Sequence, residues 1–127
     1  MKLNLLAILL SATWISVSEF FRNQFILQKN WTAHYTSLGL EFPAGPFNGA
    51  VWGVWSLCLA WGIFMLSRRF GFLMTTILVW FFAFVLMWLV IGNLAVLPLS
   101  ILPLAIPLSI LEVVLAVFIT RRISPAS

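Results

Sequence analysis

The chain holds three acidic side chains, and two of them stand inside apolar runs. Glu19 lies in "SVSEFFRNQF", three residues before Arg22 and four before Asn23, and Glu112 lies in "SILEVVL". Taking an ionisable group out of water is costly, so such a residue in an apolar run marks a functional candidate. At i and i+3, Glu19 and Arg22 can pair on one helix, which favours a structural ion pair there. No Lys or Arg is expected at the depth of Glu112 in the bundle. Glu112 is therefore a candidate proton-carrying or ion-binding site. The competing role is a neutral carboxyl hydrogen-bonded between helices. Ser11, Ser56, Thr75, Thr76, Trp55 and Trp80 are the expected partners.

Other chemistry is sparse. His34, with Tyr35 and Glu41, is the one acid/base set outside the apolar runs. No nucleophile or metal set accompanies it, and a lone His is more often an ordinary surface residue. There is no Asp, no His or Cys pair at metal-ligand spacing and no glycine-rich phosphate loop. We therefore expect no catalytic residue, no metal and no cofactor, and an enzyme is the less favoured class. The single Cys58 sits in an apolar run and reads as packing.

The elements that must position these groups follow from composition. Of 127 residues, 63% are hydrophobic and 8% charged, with a mean hydropathy of +1.12. A water-soluble domain of this size has no way to cover so much apolar surface, whereas lipid removes the need. The net charge of +4 comes from basic residues at segment ends, with no basic stripe, so a nucleic-acid partner is not expected.

Four apolar stretches approach the ~20 residues needed to cross a bilayer. They run over about 3–26, 48–66, 72–91 and 99–120, joined by an outer connection over about 27–47. The expected fold is an all-α bundle of four transmembrane helices in one domain. The first stretch begins like a secretory signal, but its apolar run continues too far, so it reads as a span. Lys2, Arg68, Arg69, Arg121 and Arg122 fall at one end, against Arg22 and Lys29 at the other. The positive-inside rule then puts both termini in the cytoplasm, as in a bacterial inner membrane. At ~1.5 Å per residue, Glu19 lies roughly 24 Å from the inner end of its span and Glu112 roughly 12 Å. Glu19, Arg22, Asn23, Asn48 and Asn93 are expected to form one polar cluster at the outer end.

Helices in lipid associate through small and polar residues. Gly49, Gly53, Ser56 and Ala60 share a face of span two and predict a close helix contact. Span four presents Ala105, Ser109, Glu112, Ala116 and Thr120 in the same way, and span one Asn4, Ala7, Ser11, Ser18 and Arg22. Span three, with Trp80, Phe81, Phe82, Phe84 and Trp88, is expected to supply more of the lipid-facing surface. Pro98 and Pro103 suit a helix start, and Pro107 would free a carbonyl within span four.

From Phe21 the chain reads "FRNQFILQKNW". This stretch resembles the W-Y-x-P-x-x-F-G-K-x-W signature of a family of small, four-span bacterial membrane proteins known only as a domain of unknown function. Lys29 and Trp31 match; Phe21 stands where the family has Trp, and Gln24 and Gln28 replace its Pro and Gly. The resemblance implies fold and membrane location and no established activity. The residues favour a small transporter or channel subunit with a protonatable Glu, set in the lipid bilayer and plausibly a homo-oligomer. A non-catalytic accessory subunit, or a binder of lipid or a hydrophobic ligand, is the alternative.

Overall fold

The computed structural model describes residues 1–126. Among these described residues five helices form: α1 Lys2–Ile26, α2 Gln28–Ser37, α3 Pro46–Ser67, α4 Phe72–Asn93 and α5 Leu99–Ile123. All but α2 are long and apolar enough to cross a membrane. The bundle is thus the expected all-α one, and its spans match the expected ranges to within a few residues.

Local chemistry sets the helix ends. Pro46 opens α3, where its missing N–H costs nothing, and Asn48 turns its Oδ1 back to accept from the Gly45 N–H at 3.2 Å. α2 and α4 close in the same way. Leu40 N–H reaches the Tyr35 carbonyl and Gly39 N–H that of Thr36; Val96 and Ala95 do likewise to Ile91 and Gly92. That closure needs a left-handed residue, supplied by Gly39 (φ +73°) and, less comfortably, by Ala95 (φ +60°). The first turn of α5, Leu99–Ile101, is a tight 3₁₀ turn after Pro98, with Pro103 in the opening α-turn and Pro107 inside the helix.

Successive long helices run antiparallel, bringing both termini to one end. There Arg68 donates to Asn4 Oδ1 (2.9 Å), Ser124 Oγ (2.6 Å) and the Pro125 carbonyl (3.0 Å), while Arg121 donates to the carbonyls of Ser67 and Phe70. α1 packs chiefly on α3 and α5, and α4 on α5. The core holds Ala12, Ile15, Ala60, Ile63, Val79, Phe84, Val113, Ala116 and Val117. Along the α1–α5 seam, buried Ser11 bonds the Ala116 carbonyl and, at 2.8 Å, Thr120 Oγ1, so small residues there let the backbones approach.

One packing expectation is corrected. Ser56 and Ala60 are buried, but Gly49 and Gly53 touch no helix: a Cβ on either meets nothing within 4 Å. The contact made by the inner half of α3 does not extend to its outer half. The aromatics of α4 divide between the surface and the core. Phe81 and Phe82 are exposed, but Phe84 is fully buried, against Trp55 and Trp88. A wide π-turn over Phe81–Val85 contains Phe84 and departs there from the regular helical period.

Candidate functional site

α1 does not stay regular to its end. Over Arg22–Ile26 it widens into a π-turn, with Leu27 N–H bonded to the Arg22 carbonyl at 2.8 Å. Such turns cost regular hydrogen bonding and recur at functional sites. Here the turn sits directly above Glu19 and contains both Arg22 and Asn23.

The Arg22 guanidinium bridges two helices. Its Nη2 donates to Glu19 Oε1 on α1, and its Nη1 to Glu112 Oε2 on α5 at 3.2 Å. Its Cζ lies 5.3 Å from the centre of the Phe84 ring on α4. The three charged residues are 5%, 5% and 0% exposed for Glu19, Arg22 and Glu112. Asn23 Nδ2 donates to Glu19 Oε2 at 3.0 Å, and its own Oδ1 accepts from Trp31 Nε1 at 3.0 Å. Trp14 Nε1 donates to the Glu112 backbone carbonyl at 2.9 Å. Among the described residues, buried Glu112 Oε1 has no hydrogen-bond partner.

This overturns the expectation that Glu112 has no cation at its depth. None of the six anticipated partners reaches it. Ser11 is engaged with α5 lower down; Ser56 and Thr76 bond carbonyls one turn back in their own helices, and Thr75 the Phe70 carbonyl just before α4; Trp80 bonds Ser109; Trp55 packs on Phe84. The reason is directional. Side chains on a helix lean toward its N-terminus, and α1 and α5 are antiparallel, so Arg22 leans inward and Glu112 outward. Measured from the level of Asn4 and Ser124, which share a hydrogen bond, their Cα atoms stand at about 27 Å and about 18 Å. Two long side chains leaning together span that difference.

The expected outer cluster is assembled in part. Glu19, Arg22 and Asn23 are joined directly. Asn48 lies across a cavity from Glu19 and Asn23, with its Oδ1 occupied by Gly45. Asn93 is an exposed residue in the last turn of α4 and does not line that cavity. Trp14, Trp31 and Phe84 are members that sequence spacing did not indicate.

Two openings flank the triad. Between α1 and the outer half of α3 lies a cavity of about 330 Å³, walled by Glu19, Asn23, Gln24, Asn48, Gly49 and Trp52 among others. Between α1 and α5 runs a groove of about 320 Å³, lined by Trp14, Phe21, Leu108 and Leu111, with Arg22 and Glu112 at its floor. α2 lies over the α4–α5 connection: Asn30 Nδ2 donates to Ser100 Oγ (3.0 Å) and His34 Nε2 to the Ala95 carbonyl (2.8 Å). His34 is thus a tie between segments. Tyr35 packs on Trp31 and Phe42, and Glu41 is exposed. Among the described residues, no three His, Cys, Asp or Glu side chains gather to hold a metal ion.

No family model, curated protein or solved structure matches the chain.

Proposed function

We propose that the chain is a small membrane transporter or channel subunit in which Glu19, Arg22 and Glu112 form a proton-responsive switch. One observation carries the reading: two carboxylates share one guanidinium, deep in the bundle, beside a cavity. With all three groups ionised, the triad holds one uncompensated negative charge. A low-dielectric surrounding makes that charge costly unless a proton or a second cation joins it. Each state distributes the hydrogen bonds differently. With Glu112 ionised, Arg22 bridges α1 to α5; with it protonated, the bridge weakens and the π-turn of α1 is free to shift. The cavity and groove lie on either side of that bridge.

The remaining assignments follow the same logic. Five basic residues gather at the end that carries both termini, which supports a cytoplasmic position for that end in a bacterial inner membrane. The apolar outer surface of the four long helices suits a lipid bilayer, and the exposed outer half of α3 leaves room for a second copy.

The test is a pH-gradient assay in proteoliposomes with an internal pH dye. Wild type dissipates an imposed gradient faster than empty vesicles, and Glu112→Gln, which keeps the shape and removes the titration, abolishes the difference. Flux unchanged in Glu112→Gln rules out the switch. A second reading, a non-catalytic binder of lipid or a hydrophobic ligand, draws on the α1–α5 groove and its apolar walls. It fits the case in which no flux is seen and lipid co-purifies in fixed ratio.

A further inference from the structure

We propose that the cavity between α1 and α3 binds an organic ammonium ion with an aromatic or aliphatic body, and that Glu19 is its counter-ion. The inference deepens the switch reading, because the negative charge it uses is the one left over in the Glu19–Arg22–Glu112 triad.

Shape comes first. At about 330 Å³ the cavity lies at the small end of the range for sites that hold small molecules. Its space is left by the glycines on this side of α3. Gly45, Gly49 and Gly53 line it, and a Cβ built at Gly49 or Gly53 meets only open space. Two helices that needed only to pack would close at such glycines. These stay apart.

The sign of charge comes next. Glu19 is the one charged residue in the wall; Arg22 bonds it but does not line the cavity. The other polar groups are neutral: Ser16, Asn23, Gln24 and Asn48. An anion entering here would meet the Glu19 carboxylate, and a neutral apolar molecule would leave the surplus charge of the triad without a second cation. A cation neutralises the surplus charge of the triad. The body of the ligand has its own surface in Phe20 and Trp52, and Trp52 is held edge-to-face by Trp55 at 5.4 Å. Ammonium groups favour the face of Trp and the neighbourhood of a carboxylate together. A bare metal ion fits poorly, since it needs several oxygen ligands at close range and the described residues offer no such group.

The ammonium group has two possible sources, a free amine or an ethanolamine lipid headgroup, and the test separates them. Phenethylamine, protonated at neutral pH, is titrated calorimetrically into the protein in phosphatidylglycerol nanodiscs, alongside phenethyl alcohol and phenylacetate. Phenethylamine should bind at least about tenfold tighter than either analogue, the difference expected of a charge-assisted contact. Gly53→Leu, which fills the cavity from the α3 side without touching the triad, should weaken it at least about tenfold while circular dichroism and elution volume stay unchanged. Glu19→Gln should do the same. Repeating the titration in phosphatidylethanolamine nanodiscs identifies the source: weakened binding assigns the site to the headgroup, unchanged binding to the free amine. Equal binding of amine and alcohol, or an unchanged affinity in Gly53→Leu, overturns the proposal. Binding without pH-driven flux would retain this site and reject the switch; flux without amine binding would do the reverse.

Discussion

The Arg22 guanidinium faces the ring of Phe84 at 5.3 Å, and each residue belongs to a π-turn, one in α1 and the other in α4. The two irregular turns therefore meet at the buried charge. Glu19 and Glu112 accept from the guanidinium N–H groups, and the phenyl ring lies against it, which helps keep water off it. Phe84→Leu keeps most of the apolar volume but loses the aromatic face. A loss of roughly 1–2 kcal/mol is expected, part packing and part cation–π, read as a lower midpoint of thermal unfolding in detergent.

Removing the guanidinium is a harsher change. Arg22→Met leaves Glu19 and Glu112 buried and facing each other without a cation. Breaking a buried pair in this way costs about 3–5 kcal/mol. The triple variant Glu19→Gln, Arg22→Met, Glu112→Gln should recover much of that stability, because no lone charge remains. If the single and triple variants unfold at the same denaturant concentration, the triad is not an electrostatic unit.

Small residues divide into two kinds, and substitution separates them. Ser11 is fully buried on the α1–α5 seam, 2.8 Å from Thr120 Oγ1. Ser11→Leu should push the helices apart and destabilise by at least about 1–3 kcal/mol. Gly53→Leu enters open space and should leave the unfolding midpoint nearly unchanged. Parallel melts of the two variants in one detergent give the comparison.

Ala95 closes α4 in a left-handed conformation that glycine adopts at lower cost. Ala95→Gly should stabilise by roughly 0.5–1 kcal/mol, and Ala95→Val should destabilise, since branching at Cβ worsens the same clash. The pair of midpoints must bracket wild type; a destabilised Ala95→Gly would mean that the φ of +60° carries no strain.

The four spans were legible because lipid imposes a simple rule of length and hydropathy, and each observed helix falls within a few residues of its expected range. The triad was legible only in its parts. Glu19 and Arg22 are neighbours on one helix, so their spacing is enough to pair them. The Arg22–Glu112 contact is hidden in the sequence because rise per residue gives the depth of the backbone, while both side chains lean away from their own Cα and toward each other. Gly49 and Gly53 misled for a different reason. A glycine pair on a helix face marks space beside the backbone, and only the neighbouring helix decides whether that space is filled or left open. Phe84 was out of reach because the π-turn that contains it breaks the period by which a face is read.

The pairing of the first long helix with the last has a consequence for biogenesis. Arg22 is synthesised 90 residues before Glu112, a wait of roughly 5–20 s at ordinary rates of synthesis. During that time the nascent first segment must sit in or beside the bilayer with its two charges and without its final neighbour. Glu19 and Arg22, one turn apart, neutralise each other from the start, so the segment enters as an ion pair and not as two lone charges. Glu112 arrives on the last helix to be synthesised, when the guanidinium that will receive it is already in place. The order of the genetic message thus matches the order in which the charges can be tolerated.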